Sequence, residues 1–586
     1  MPTAKIPLVG VYQTRGPGDP YQNWLLGKDQ KFSNCVFGLP KNPVTGRSVF
    51  YVSKRPGLES DTTYGSVASG GANTLMCAGT AKYTRKNYWC NWNGSNTMTV
   101  YEGVVTTSVA IGTVAVTSLI WAEFSETLLN GVQYVVFIIN DNGTSACYYY
   151  PSNVLATTTG DTTNASAVVT SIPTTTGLYV GQAVSGTGIP AATRILTIDS
   201  ATQVTLTLAA TATGTGVTLT LTKLAKVIDA DFPTDAVGPM VFLDGYGFIL
   251  TASGSIYQTD INTMASIGVN NYLSVNAFTD AGKGLAKIKN TLVAFGESSI
   301  EFFYNAGNAT GSVLSPIKQA VLRCGIPGNA QVFASFKRIT QIGDDIYFWG
   351  VETNPDNAFL ISGRGDNHQL YKLSGFQLFR MSTPETAAFL QGIVPRKIEA
   401  FSLAGKNYLI ITATSLATKC IVWDLDLDLP SEWVVAASAY MVNWHEAFSL
   451  GGSRFLTDDR TNIRGLYFTE GDTAVASKVD ADSSTGKTVV RIIQSIKADF
   501  DTMRRKFITS ATLACDKEST GTDLLEYSDD DGANWTTWGS FDLTSMQPKL
   551  TRGGSFVGGR QFRMTNSSNV IGRSRHLEIE YEVGSA

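Results

Sequence analysis

Charge is what this chain of 586 residues has least of: Asp, Glu, Lys and Arg make up 16% of it, well under the usual quarter. Charge of one sign is missing too, since 45 Lys+Arg stand against 49 Asp+Glu for a net −4. That balance excludes a broad cationic surface of the kind that grips nucleic acid by displacing counterions. Histidine is almost absent. His368, His445 and His576 are far apart, so no histidine zinc site or pH switch is spelled out. The seven cysteines, Cys35, Cys77, Cys90, Cys147, Cys324, Cys420 and Cys515, include no CxxC. They read as reduced, mostly buried thiols of a protein assembled in a reducing cytoplasm. Long hydrophobic runs are also lacking. The longest, Val135–Ile139, has the length of a strand and falls far short of the ~20 residues of a membrane span. The opening residues hold no signal-peptide core, so the expected location is not secreted and not membrane-spanning.

What is present is glycine (56), ordinary hydrophobicity (43%) and turn-rich β patterning. This excludes a disordered tail and a coiled coil. Short β-branched or aromatic runs alternate with Gly, Asn, Asp and Ser turns. A unit of apolar strand, DG/GD/GK turn and apolar strand recurs near 241–250, 287–295, 341–350 and 402–412, with a poorer copy near 447–456. The spacing is near the ~40–50 residues of a four-stranded propeller blade. Units around 73–103 and 118–150 fit the same rhythm. The expected fold is all-β: a degenerate β-propeller, with a multi-sheet all-β stack as its competitor. One helix is predicted, over Ser382–Gln391, from the capping-box spacing of Ser382 and Glu385 and from Pro384 in its first turn.

Two segments differ from this background. Residues 157–223 hold only four charges, Asp161, Arg194, Asp199 and Lys223, and twenty-one threonines. Alternation and β-branching there predict a small inserted β-sandwich. Residues 487–586 carry 13 Lys+Arg and 13 Asp+Glu and read as an antiparallel unit with polar outer faces. The expected division is therefore 1–65 as an N-terminal platform segment, 66–156 as the first part of a propeller and 157–223 as the insert. The remainder of the propeller follows over 224–486, and 487–586 is a C-terminal platform domain.

Few motifs carry chemistry. Ser528, Asp530, Gly532 and Trp535 fit the Asp-box S-x-D-x-G-x-x-W, which also occurs in sialidase propellers. Physically the box is a hairpin device: Asp caps a turn, Gly takes positive φ and Trp packs beneath. Asp424, Asp426 and Asp428 fall on one face if their segment is an extended strand. Paired carboxylates can bind calcium or act as acid and base, but no turn glycine or converging ligands accompany them. The RGD within Ser362–Asp366 reads as a turn, and Arg504, Arg505 and Lys506 as a strand edge or a subunit or phosphate contact. No P-loop, GxSxG or HExxH is present.

The stretch FGESSIEFFYNAG at Phe295–Gly307, with Gly296, Glu297, Glu301 and Tyr304, resembles a segment of the packaged-DNA stabilisation proteins, the tail nozzle of short-tailed phages. Neighbouring motifs follow in that family's order. They are Asn23-Trp24 and Lys54, Arg55, Pro56 and Gly57 of KRPGL near the start, the Asp244-Gly245 turn, YQTDIN at Tyr257–Asn262, and YSDDDGANW at Tyr527–Trp535. The likeness runs over about 20–150 and 224–580, leaving 157–223 out. It implies a homohexameric tube below the portal and adaptor rings, located in the virion tail. Such a tube retains packaged DNA, conducts it at ejection, and meets a tail needle or plug and fibres or tailspikes. It implies weak contact with double-stranded DNA, no cofactor and no catalysis. The alternatives are a propeller glycoside hydrolase or depolymerase, and a glycan-binding adhesin with 157–223 as its binding module.

Overall fold

The computed structural model describes residues 3–8, 11–12, 24–25, 31–38, 50–55, 59–61, 74–104, 107–275, 280–326, 339–352, 369–381, 395–403, 406–413, 419–434, 443–449, 453–458, 463–467, 479–480, 487–500 and 502–584. Every element among them is a β-strand. The helix expected over Ser382–Gln391 and the RGD turn lie outside the described residues.

The chain divides into two compact units, one of 63–379 with 460–463, the other of 1–62, 380–459 and 464–586. The first is a succession of antiparallel sheets. Thr74–Ala81, Lys86–Trp92, Thr97–Val104 and Thr107–Ala115 form a four-stranded meander, as do Val241–Leu243, Tyr246–Leu250, Ser255–Gln258 and Tyr272–Ser274. Gly282–Ile288, Thr291–Gly296, Ile300–Asn305 and Leu314–Leu322 form another. Ile339–Ile342, Asp345–Glu352, Gln369–Ser374 and Gln377–Arg380 follow, with Cys324–Gly325 also paired to Asp345–Glu352. Between the first two meanders come Leu119–Leu129, Val132–Asp141 and Thr144–Pro151.

Turn chemistry explains the hairpins. Asn130-Gly131, Asn142-Gly143 and Asp244-Gly245 each place two residues at positive φ, the type I′ geometry that matches strand twist in a two-residue loop. The sheets then bury their faces in chain order. Met98, Val100, Phe137 and Ile139 share one core, and Ile138, Tyr149, Ile249 and Met264 the next. Phe248 and Ile256 pack with Leu292 and Phe303, and Phe295 and Phe302 with Phe348 and Tyr371. The sheets of 119–151, 241–274 and 282–322 are thus each covered on both faces by their neighbours in sequence, as consecutive propeller blades are.

The Thr-rich module belongs to this unit. The long strand Gly214–Lys226 pairs on one side with Thr157–Thr162 and on the other with Gln182–Ser185. From Thr157–Thr162 the pairing continues through Val168–Thr170 and Gln203–Leu206 to Ile195–Ser200. An Ala183↔Arg194 bridge returns it to Gln182–Ser185. The six strands therefore close around their own core, which includes Val169, Ile172, Val184, Ile195, Val204, Leu219 and Leu221. Closure leaves no long edge and suits a module so poor in charge.

The second unit gathers both chain ends. Ser574–Val583 lies between Lys506–Cys515 and Thr3–Pro7, with Ala4 opposite Ile579. In a nine-stranded sheet, Pro395–Leu403, Lys406–Ala413, Lys419–Asp424 and Leu429–Val434 precede Lys31–Ser33, Arg491–Gln494, Gln561–Asn566, Thr522–Ser528 and Thr536–Asp542. The hairpins predicted near 402–412 and 447–456 form, as Pro395–Leu403 with Lys406–Ala413 and Asn443–Ser449 with Ser453–Asp458. Their rhythm groups 395–434 with the expected propeller, yet these strands share a sheet with segments from near both chain ends. The junction is Glu432 beside Ser33 in a parallel pair.

Candidate functional site

The residues singled out in the sequence fall in separate places along the fold. Lys54 and Arg55 are buried, although a Lys-Arg pair reads as a surface basic motif. Arg55 Nε donates to Asn34 Oδ1 at 2.9 Å and Nη2 to the Val434 carbonyl at 3.1 Å, and the guanidinium stands 5.7 Å from the Trp433 ring centroid. Lys54 Nζ donates to the Ser568 carbonyl. Asn34, at φ 54, also accepts from Val434 N at 2.8 Å and donates to the Val490 carbonyl at 2.8 Å. These residues tie segments near 34, 55, 434, 490 and 568 into one unit. Trp24 stands in a two-residue strand paired with Val11–Tyr12. Asn23, Pro56 and Gly57 lie outside the described residues.

The aromatic stretch is a hairpin. Thr291–Gly296 and Ile300–Asn305 pair in register, with Ala294 opposite Glu301 and Thr291 opposite Tyr304. Asp280 holds the turn, accepting Ser298 N at 2.6 Å and Ser298 Oγ at 2.8 Å. A Cβ on Gly296 would stand 2.5 Å from that carboxylate, so the glycine answers to close approach. Glu297 pairs with Lys283 at 2.7 Å, Glu301 is buried and Tyr304 exposed.

The Asp-box is a closed hydrogen-bonded turn. Ser528 Oγ donates to Asp530 Oδ1 at 2.7 Å and accepts Gly532 N at 2.9 Å, while Asn534 N donates to Asp530 Oδ1 at 2.9 Å. Gly532 has φ +82. The Asn534 N–H, then the Ser528 hydroxyl, hold the Asp530 carboxyl down at about 2. Trp535 receives the Arg563 guanidinium 4.3 Å from its ring centroid. The Arg504 and Arg505 side chains are exposed. Lys506 is buried instead, donating to the Gly558 carbonyl at 2.6 Å over Phe556, and burial lowers its pKa. The three residues therefore do not form one basic cluster.

The acidic strand is corrected outright. Lys419–Asp424 ends at Asp424, and 425–428 form a turn, so the three carboxylates do not share the face of a strand. Asp424 is buried and 3.2 Å from Lys406 Nζ; burial raises its pKa against the pull of that ammonium. It accepts Leu427 N at 3.0 Å, and Asp428, at φ 56, accepts Trp423 Nε1 at 2.7 Å. Among the described residues no group of three or more His, Cys, Asp or Glu side chains could hold a metal ion. All seven cysteines are buried, and burial pushes the Cys35 thiol up to about 12.

Sequence reasoning missed a buried network. Arg491 Nη2 meets Asp523 Oδ2 at 2.5 Å, and Asn566 Nδ2 meets Asp523 Oδ1 at 2.5 Å, all fully buried. Arg491 also donates to the Gly572 carbonyl. A buried pair of this kind leans on its surrounding hydrogen bonds, and here Arg491 Nε and Asn566 Oδ1 are left without a partner among the described residues. No local spacing signals it, since the partners lie on different strands.

No curated protein matches this sequence. Among solved structures, the N-terminal domain of Nup159 superposes with TM-score 0.35 at 9% identity, over 75% of this chain and 99% of that one. The computationally designed Ika8 protein gives 0.31 at 10% identity, over 69% and 98%. Sqt1 of Saccharomyces cerevisiae gives 0.33 at 8% identity, over 69% and 98%. At these TM-scores the likenesses carry no argument. A family model described as "Bacteriophage P22 Gp10, beta-propeller" matches residues 181–370. The match starts inside the Thr-rich module, which the resemblance in sequence motifs left out, and runs through two four-stranded sheets and into the five-stranded sheet that follows. Over that span the chain is similar to a bacteriophage β-propeller family.

Proposed function

We propose that this chain is a structural subunit of a phage tail, a nozzle that assembles as a homohexameric tube below the portal and adaptor rings, holds packaged DNA and conducts it during ejection. The observation that carries this reading is the phage β-propeller match over 181–370, laid on sheets that stack face to face in chain order. Two of the carboxylates singled out in the sequence are held by neighbouring groups: Asp530 by Ser528 and Asn534, Asp424 by Lys406 and Leu427. A conduit gains from weak contact with DNA, because each phosphate neutralised adds affinity that impedes sliding. A chain of net charge −4 with 16% charged residues fits that need. In this reading the unit built from both chain ends is the platform toward the adaptor, and exposed Arg504 and Arg505 are candidates for a subunit contact.

Native mass spectrometry of the purified chain, with cryo-electron microscopy of the particle, tests the proposal. Six copies in a ring on the adaptor are expected. A monomer or trimer that releases sugar from bacterial capsule would overturn it in favour of a depolymerase.

A further inference from the structure

We infer that Tyr148, Arg194 and Lys226 form a binding site for a phosphate or sulfate group where the barrel of the Thr-rich module closes. The inference is independent of the nozzle reading, since it rests on side-chain placement within one unit.

Lys226 ends the strand Gly214–Lys226 and is the register partner of Tyr148 in an antiparallel pair. Residues directly opposite in such a pair present their side chains on the same face. Arg194 comes to the same place from the other side of the barrel. Its Nη1 donates to the Gly181 carbonyl at 2.7 Å, and the Lys226 amide donates to that same carbonyl at 3.1 Å. The guanidinium is therefore held against the main chain of Lys226. Arg194 is also fixed along its backbone: it bridges Ala183, accepts Thr207 N at 2.8 Å and donates to Thr207 Oγ1 at 2.9 Å.

All three groups can donate, and the acceptor that holds Arg194, the Gly181 carbonyl, carries no charge. Arg194 and Lys226 are each half-buried, and neither forms an ion pair among the described residues. The Arg194 charge acts on both others. It adds to burial in lowering the Lys226 pKa, and it opposes the rise that burial imposes on Tyr148. Tyr148 stays a phenol at neutral pH and so offers an O–H. The carboxylate that also acts on Tyr148, Asp141, is committed elsewhere, accepting Thr117 N at 2.8 Å and Ser118 N at 2.6 Å. Two like charges in a half-buried place repel each other and lose hydration. An oxyanion there neutralises both and accepts from a fork, an ammonium and a hydroxyl, the donor set that phosphate recognition uses.

Titration of the full-length protein with inorganic phosphate, followed by ³¹P line broadening and calorimetry at constant ionic strength in chloride, tests the site. Saturable binding of one phosphate per chain, displaced by sulfate, is expected. Lys226→Met keeps the backbone bond to Gly181 and should weaken it by roughly tenfold or more, in line with the loss of a charge-assisted contact. Lys226→Arg should retain it. Lys223→Met is the control, because a residue three positions earlier on a strand faces the other way. Matching thermal melts keep a folding defect from passing as lost binding. Glucose 6-phosphate binding as well as the free ion shows that the site takes carried phosphate, and its exclusion shows a free-ion site; either keeps the inference. No saturable binding, or equal binding by Lys226→Met, overturns it.

Discussion

Asp530 accepts a backbone N–H from Asn534 and a hydroxyl from Ser528, and its carboxyl is held at about 2. An unfolded aspartate titrates near ~3.9. A folded value below the unfolded one stabilises the hairpin fully above pH ~4, and that stabilisation is lost as pH falls through about 2. Asp530→Asn mimics the protonated form. The variant should melt below the wild type at pH 6, and the gap should close on acidification to pH 2; a gap that does not change with pH in scanning fluorimetry would refute the assignment. This role was legible, because S-x-D-x-G-x-x-W encodes a turn by local chemistry alone. The buried places of Arg55 and Arg491 were not. Each is anchored by partners hundreds or tens of positions away, such as Val434 for Arg55 and Asp523 for Arg491, and composition marks an arginine as exposed by default.

At the scale of elements, two-residue turns made the hairpins readable. Asn-Gly and Asp-Gly between apolar runs supply two positive φ values, and that requirement is visible in one line of sequence. Pairing between distant strands was not visible. Glu432 beside Ser33 and the Ala183↔Arg194 bridge depend on tertiary contact. The acidic run Asp424–Asp428 shows the opposite error: its alternation imitates a strand, yet Asp424 caps a turn through Leu427 N. Gly181 is the hinge of the barrel's closure. It has φ +86, and a Cβ there would stand 1.8 Å from the Lys226 carbonyl oxygen. That neighbour is backbone in two paired strands and cannot swing aside. Gly181→Ala should therefore destabilise the module by more than about 1 kcal/mol. Hydrogen exchange should speed up at Val184 and Ile195 while Phe248 and Phe295 keep their protection. Unchanged exchange at Val184 would show that closure does not depend on this glycine.

At the scale of the whole molecule, the module's independence can be argued from where cores begin and end. Val169 to Leu221 form its own core, whereas Leu224 belongs to the core of the first two sheets, and Ala225 and Val227 to the next. The boundary at Lys223, read from charge and threonine content, thus falls just before the residues that the blades need. The ends are close as well. Thr157 and Thr220 are register partners, and Leu221 N donates to the Ala156 carbonyl at 2.8 Å. From there to Leu224 is three residues of strand, about 10 Å at ~3.3 Å per residue, a gap that a linker of about five glycine and serine residues closes. A chain lacking 157–223 and so joined should lose only the closed barrel and keep Leu224 in its core. Under the nozzle proposal it should still assemble as six copies in native mass spectrometry. Monomers of normal melting temperature would show that the module makes the contact between copies, and would move the search for the subunit interface from the platform to the barrel.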